Sequence, residues 1–442
     1  MHSTKRLLPL GPYMTPRQTF LFATETFRYF QQCAARYGDP FTIPITGVKT
    51  VFTSQPANIK QIFNADPDLF DTITSSNIGV AVGKNSLLVI TGVQHNRERK
   101  LMMPSFHGAR LHTYGHLIQT IASEHASRWQ SGQALVMQQA NLAISLEVII
   151  QVVFSIRQPA QIARFREVIV AFLEAFTPLI ILFPLLRRVL SDFAPWKKFQ
   201  RSLIAFDQLL ESEIAARRIE AIEREDILSM LLAARDEEGE PMTDEQIRDE
   251  IKTLILAGYE SIGTSLSWAY YWIHRTPGIR MRLQAEVSPF GKMLDPEALT
   301  RLPYLKAVCQ ETLRMCPPVP FVIRVLKKPW SFCNYELPAG VAVGTAIGIA
   351  HFNPTIYEQP QSFQPERFMD RQYSPFEYLP FGGGARRCIG ATFALYQMQI
   401  VLGTILARHE LTLSQQRPAA HSHLGFAISP KCGVKMVYEG FI

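Results

Sequence analysis

Residues 381–390 read Phe-Gly-Gly-Gly-Ala-Arg-Arg-Cys-Ile-Gly: a glycine-rich loop that runs into a single cysteine, Cys388, at the start of an apolar helical pattern. Glycines reach positive φ and let a backbone lie close against a flat ligand. A helix N-terminus lowers a thiol's pKa, and backbone N–H groups left free there can hydrogen-bond the sulfur, as a metal-bound thiolate requires. A lone cysteine beside a glycine turn is more often a structural residue, so the surrounding pattern has to decide.

Four further constellations stand around it. Glu311-Thr-Leu-Arg314 places opposite charges at i and i+3 on a helix, and Pro365-Glu366-Arg367-Phe368 follows downstream. Ala257-Gly258-Tyr259-Glu260-Ser261 sits midway along a long apolar run. Interior glycines there, Gly258 and Gly263, cost about 1 kcal/mol each relative to alanine and suggest close approach to a ligand or a local distortion. An acid and an alcohol in such a run are expensive unless partnered. His95 and Arg99, four residues apart, share one helical face. Arg324 follows Pro317-Pro318-Val319-Pro320, and His351 precedes Pro354. Taken singly, each of these is compatible with ordinary surface charge or loop shaping.

Together, in order and spacing, they resemble the cytochrome P-450 family from about residue 35 onward. The loop fills every fixed position of that family's haem-binding signature with Phe381, Gly384, Arg386, Cys388 and Gly390. The resemblance implies haem b, with Cys388 as the axial iron ligand and Phe381 packed near the sulfur. Propionate contacts fall to Arg386, His95, Arg99 and Arg324, and His351 either joins them or shapes a loop. Glu311, Arg314 and Arg367 take the places of a buried structural network. Glu260 and Ser261 take the places of the acid–alcohol pair that relays protons to bound dioxygen. Threonine is usual where this chain has Ser261, and serine's hydroxyl turns more freely than that of a β-branched residue. The implied reaction is insertion of one oxygen atom from dioxygen into a hydrophobic small molecule. Oxidative cyclisation or coupling, or peroxide-driven oxidation in secondary metabolism, is the alternative.

By the same resemblance the substrate pocket draws on residues 72–88, 172–193, 254–261, 319–322 and the turn near 426. The wall residues implied are Ile73, Ile78, Val80, Phe176, Ala257, Val319, Phe321, Val322 and Phe426, an apolar set suited to an apolar or amphipathic substrate. Lys84 and Arg187 are the cations available to anchor a carboxylate. Only 54 residues follow Cys388, so the expectation is that NAD(P)H-derived electrons arrive from a separate ferredoxin or flavodoxin and its reductase. The resemblance is to soluble bacterial members, in particular cyanobacterial hydroxylases of fatty acids or terpenes.

The elements that must position these groups are mainly helical. From about 95 to 315 apolar residues recur at spacings of three and four, as in Leu203, Phe206, Leu209, Leu210 and Ile214. One helix begins near Thr243, whose spacing to Gln246 fits a capping box, and runs to about Ile273 with Pro277 beyond it. At about 1.5 Å per residue it forms a rod of roughly 45 Å, long enough to cross a domain. Short strands are predicted at Phe41–Ile45 and Thr50–Thr53, a second apolar helix at Ile389–Arg408, and a β-hairpin at Phe426–Val437. The fold class is therefore mainly α with a smaller β region, the cytochrome P-450 fold, read as one domain over 1–442 with a lead segment over about 1–30.

Composition sets outer limits. Hydrophobic residues make up 47 % and charged residues 19 % of 442, enough apolar material for a large core. The formal net charge of +7 does not argue for nucleic acid, though it suits an acidic protein partner. Six cysteines (Cys33, Cys309, Cys316, Cys333, Cys388, Cys432) form no CxxC pair, which removes zinc knuckles and thioredoxin-like sites. Residues 1–30 hold no unbroken apolar stretch of signal-peptide or spanning length. The expectation is a monomeric cytoplasmic protein without an integral membrane anchor.

Overall fold

The computed structural model describes every residue except 1–7, 14, 46, 73–77, 107, 157, 178–193, 220–223, 291–294, 415–418 and 425–426. Its axis is the long helix, Asp244–Arg275. Thr243 Oγ1 accepts the Gln246 N–H (3.2 Å) and Gln246 Oε1 accepts the Thr243 N–H (2.7 Å), closing the capping box. Asp244 and Glu245 lie in the first turn and His274 and Arg275 in the last, each sign at the favourable end of the dipole. The helix ends two residues later than the pattern suggested.

A second helix, Met137–Phe154, packs along it. Leu142, Ser145 and Ile149, spaced by three and four, share one face. A Cβ on Gly263 would stand 2.8 Å from Leu142 Cδ2, and one on Gly258 would stand 3.3 Å from Ile149 Cδ1. Ser145 Oγ donates to the Gly258 carbonyl (3.3 Å), and Asn141 Nδ2 donates to Ser267 Oγ (3.2 Å). The two glycines thus admit a neighbouring helix rather than a ligand, which corrects the sequence expectation. Among the described residues Met137–Phe154 is the one helix long and apolar enough to cross a membrane, and 61 % of it is buried inside the protein.

The β region is split. A five-stranded sheet has the order Phe41–Ile45, Val48–Thr53, Ala342–Thr345, Val322–Leu326, Phe70–Asp71. Val48–Thr53 pairs parallel with Ala342–Thr345, whose other edge pairs antiparallel with Val322–Leu326, placing Arg324 opposite Val343. The expected hairpin over 426–437 is instead parts of two sheets. Ala427–Pro430 pairs with His421–Leu424, while Lys435–Phe441 pairs with both Ala134–Val136 and His409–Leu413. Its alternating apolar residues mark two buried strands, and alternation alone does not say which partner each takes. The helix after Cys388 runs Ala391–Leu406, with Gly390 at its N-cap.

Replacing Gly263 by valine should destabilise the protein by about 1–3 kcal/mol through overpacking against Leu142. Gly258→Ala should cost less, because only the flexible end of Ile149 is in the way. Denaturant midpoints of the two variants would check the order.

Candidate active site

The cysteine loop is shaped before any ligand is considered. The Cys388 N–H donates to the Phe381 carbonyl (3.0 Å), folding residues 381–388 into a closed turn. Gly384 has φ of +66°, and a Cβ there would collide with the Phe63 carbonyl oxygen at 2.5 Å, so only glycine suits this corner. Phe381 packs on the main core. The Cys388 side chain is accessible, and a Cβ on Gly390, two residues on, would meet nothing within 4 Å, so open space lies beside the end of the loop. Protein nevertheless crowds the group, and that burial pushes the thiol above its ordinary value. A hydrogen bond from the Gly390 backbone and the charges of Arg99 and Arg387 pull the other way.

Positive charge gathers around this loop. Arg324 donates to the carbonyls of Ile62 (3.3 Å) and Gly383 (2.9 Å), and burial with the Arg386 charge pushes it down to about 10. Arg386 donates to the carbonyls of Leu87 (3.0 Å) and Ile90, and burial lowers it as well. Arg99 is lowered by burial, with Arg387 adding to the effect. His95 is pushed down to about 4, first by burial and then by Arg386, so it is neutral at pH 7. His95, Arg324 and Arg386 line one cleft with Asp71, Thr72 and Thr91. Among the described residues Arg99, Arg324 and Arg386 form no ion pair with a carboxylate. Clustered guanidiniums that share no anion fit a ligand that brings its own, and an accessible thiol fits a metal carried by that ligand. Haem, with two propionates and an iron, meets both requirements.

The Glu311 cluster lies behind the cleft and is wholly buried. Arg314 Nε and Nη2 donate to Glu311 Oε2 (2.7 Å) and Oε1 (2.9 Å), a bidentate pair. Arg367 Nε and the Gln364 N–H add bonds to Oε1 at 3.2 and 2.8 Å. Arg314 Nη1 reaches on to the His351 carbonyl (2.7 Å). His351 then bridges two segments. The Leu379 N–H donates to its Nε2 (3.0 Å), so Nδ1 carries the proton and donates to the Arg314 carbonyl (3.1 Å). Burial pushes His351 down to about 3. Of the two roles left open for it, this is loop shaping.

On the long helix, Ala257 is exposed in a run that is otherwise mostly buried from Ile247 to Ile273, which marks an internal opening. Ser261, one turn on, is half-buried, and its Oγ donates to the Ala257 carbonyl (2.6 Å). Glu260 is buried and its charge is felt by Tyr259, which burial and that charge push up to about 12. The pocket assignments divide. Ile78, Val80 and Val322 are half-buried. Ile73, Arg187 and Phe426 lie outside the described residues. Phe176 is a core residue, stacked on Phe172 and packed on Phe199. Phe321 belongs to an aromatic cluster with Phe22, Phe30 and Phe52. Val319 is exposed. Lys84 is paired with Glu245 at 3.3 Å. Phe176 and Phe321 are corrections, since spacing to a motif locates a segment and not the direction its side chains take. Sequence reasoning passed over the carbonyls of Leu87 and Ile90, because backbone acceptors leave no mark in residue type. It also passed over Glu98 and Glu250. The latter had the same signal as Glu260, an acid inside an apolar helical run.

Known proteins resemble this chain over most of its length. The cytochrome P-450 family model matches residues 9–433. The Mycobacterium tuberculosis protein named cytochrome P-450 135B1 is 36 % identical over 421 residues, 93 % of this chain and 88 % of that protein. Its relative named cytochrome P-450 135A1, from the same organism, is 32 % identical over 414 residues, 92 % and 89 % of the two chains. Among solved structures, retinoic-acid-bound cyanobacterial CYP120A1 superposes with a TM-score of 0.87 at 24 % identity, covering 99 % of this chain and 100 % of that one. The chain belongs to the cytochrome P-450 family. It is a haem-thiolate monooxygenase that uses haem b and electrons delivered by a redox partner.

Replacing Glu311 by alanine would leave Arg314 and Arg367 buried without their carboxylate, at a cost of about 3–5 kcal/mol. Thermal or urea unfolding should show it. His351 has a folded value below its unfolded one, so its contribution to stability is lost as pH falls from 6.5 toward about 3. His351→Gln should flatten the acid limb of a stability–pH curve in that window.

Proposed function

We propose that Cys388 holds the haem iron and that Arg324, Arg386 and Arg99 hold the propionates, with neutral His95 able to donate a hydrogen bond to one of them. The observation that carries this reading is the convergence of three guanidiniums, none paired with a carboxylate, around an accessible thiol that the Gly390 backbone hydrogen-bonds. The Gly390 N–H and the charges of Arg99 and Arg387 offset part of the upward push that burial gives the thiol. Bound haem supplies the activation of dioxygen. What this chain adds is control of protons and water on the long-helix side. The Ser261 proton is committed to the Ala257 carbonyl, so the hydroxyl oxygen faces other groups as an acceptor. It can take a proton from a donor and release its own by turning about χ1. Glu260, next in the chain and buried, is the acid proposed to resupply that proton.

The substrate is proposed to be a hydrophobic small molecule of the fatty-acid or terpenoid kind. The half-buried Ile78, Val80 and Val322 and the exposed Ala257 support it. So does the fold likeness to a protein solved with retinoic acid, itself an apolar chain ending in a carboxylate. Exposed Arg387 beside the thiol and a net charge of +7 support an acidic ferredoxin or flavodoxin as electron donor.

Cys388→Ala should abolish the thiolate-type Soret shift of the reduced, carbon-monoxide-bound protein. Ser261→Ala should retain that spectrum but consume dioxygen without matching product, measured with ferredoxin, its reductase and NADPH. A normal thiolate spectrum in Cys388→Ala would overturn the ligand assignment. Full coupling in Ser261→Ala would overturn the relay.

A further inference from the structure

A second cavity lies behind the long helix, and none of the groups described so far at the haem site lines it. Its volume is about 350 Å³, within the range of about 300–1,000 Å³ that small-molecule sites occupy. Leu142, Ala143 and Leu146 of Met137–Phe154, spaced by three and four, give it an apolar wall, which Val170 of the helix Pro159–Ala175 extends. Tyr259 comes from the long helix. It stands two residues from both Ala257 and Ser261, about 200° around a helix of 3.6 residues per turn, so it faces away from the opening at Ala257. A molecule held here is therefore not the one presented to the haem side.

Hydrogen-bond donors gather against that wall. Arg128, just past the end of the helix Ala109–Ala126, is exposed and forms no ion pair among the described residues. His125 and Tyr259, both half-buried, and exposed Gln139 line the same cavity, and their side chains likewise form no hydrogen bond among the described residues. His125 is held below its ordinary range, first by burial and then by the Arg128 charge, so it is neutral at pH 7. Arg166 is the donor already engaged, by Glu147. No carboxylate lines the cavity among the described residues. Glu124 and Glu174, whose charges reach His125 and Tyr259, are exposed outside it. One unpaired cation and several uncommitted donors, set on an apolar wall, complement a molecule with a single negative head and an apolar body. A cationic molecule would meet Arg128 and Arg166, and a wholly apolar one would cover donors without pairing them.

We propose that this cavity is a second small-molecule site, separate from the haem side, that takes a medium-chain aliphatic carboxylate. The head group is held by Arg128, with His125, Gln139 and Tyr259 as further donors. The chain lies along Leu142, Leu146 and Val170.

The test uses decanoate tagged with a diazirine at its chain end, photolysed with the haem-loaded full chain and mapped by mass spectrometry. Label should appear on the peptides that carry Leu142–Leu146 and Val170, and untagged decanoate should compete it away. Arg128→Ala should raise the probe concentration for half-labelling of those peptides about tenfold, the scale of one charge-assisted hydrogen bond. Ala143→Phe puts a ring into the cavity and should remove their label while leaving any label on the haem-side segments near Ile78 and Ala257. Both positions are exposed, so both variants should fold, and their haem spectra check it. Label confined to the segments near Ile78 and Ala257 would overturn the proposal, as would unchanged labelling in both variants. Equal labelling by diazirine-tagged decylamine would overturn the choice of an anion. A dimer seen by light scattering, with Gln139 and Ala143 covered and the probe excluded, would assign the face to a second copy of the chain and overturn it as well.

Discussion

The rest of the structure answers to one electrostatic constraint: several cations must be held close together beside a thiol with no direct ion pair among the described residues, Asp71 being the one carboxylate that lines their cleft. Burial and then the Arg386 charge lower Arg324, burial and the Arg99 charge lower Arg386 against the pull of Asp71, and all three arginines lower His95. A carboxylate in direct contact would relieve that tension and would also compete with an anionic ligand. The chain uses neutral acceptors instead, the carbonyls of Ile62, Gly383, Leu87 and Ile90. Carbonyl dipoles aim a guanidinium without cancelling its charge, so the site keeps its attraction for an anion.

Carbonyl acceptors are only as well placed as the backbone that carries them, and most of the surrounding architecture serves that end. The Gly384 corner lets the loop pass under Phe63, which brings the Gly383 carbonyl to Arg324. Asp249, Glu250 and Thr253 of the long helix clasp Asn85–Leu87. On the far side, Glu311, Arg314, Arg367 and His351 lock three chain segments in one buried ionic knot. That knot contributes geometry more than net stability, since desolvation offsets much of the Coulombic gain.

Sequence carried the local features well, because they depend on neighbours in the chain. Thr243 and Gln246 close their box through three-residue spacing, and Glu311 meets Arg314 through the same spacing. The loop from Phe381 to Gly390 is legible for the same reason. What depended on distant segments was not. Gly258 and Gly263 looked like gaps left for a ligand until Ile149 and Leu142 were found filling them. Phe321 and Phe176 sit near pocket motifs in the chain, yet their side chains turn into aromatic clusters whose other members lie far off in sequence. The strand after Val434 shows alternation, but its partners at Ala134–Val136 and His409–Leu413 are chosen by the fold as a whole.

The helix Met137–Phe154 has a consequence for how the chain is made. Its apolar length rivals a membrane span, and its principal partner, Asp244–Arg275, begins 90 residues after it ends (244 less 154). At synthesis rates of about 5–20 residues per second, the helix waits roughly 5–18 s before that partner begins to emerge. During that interval it presents to the cell a sticky, insertion-like segment that only chaperone shielding or provisional contacts with earlier helices keep out of aggregates. The same close fit that Gly258 and Gly263 provide in the finished protein makes the nascent one dependent on timing.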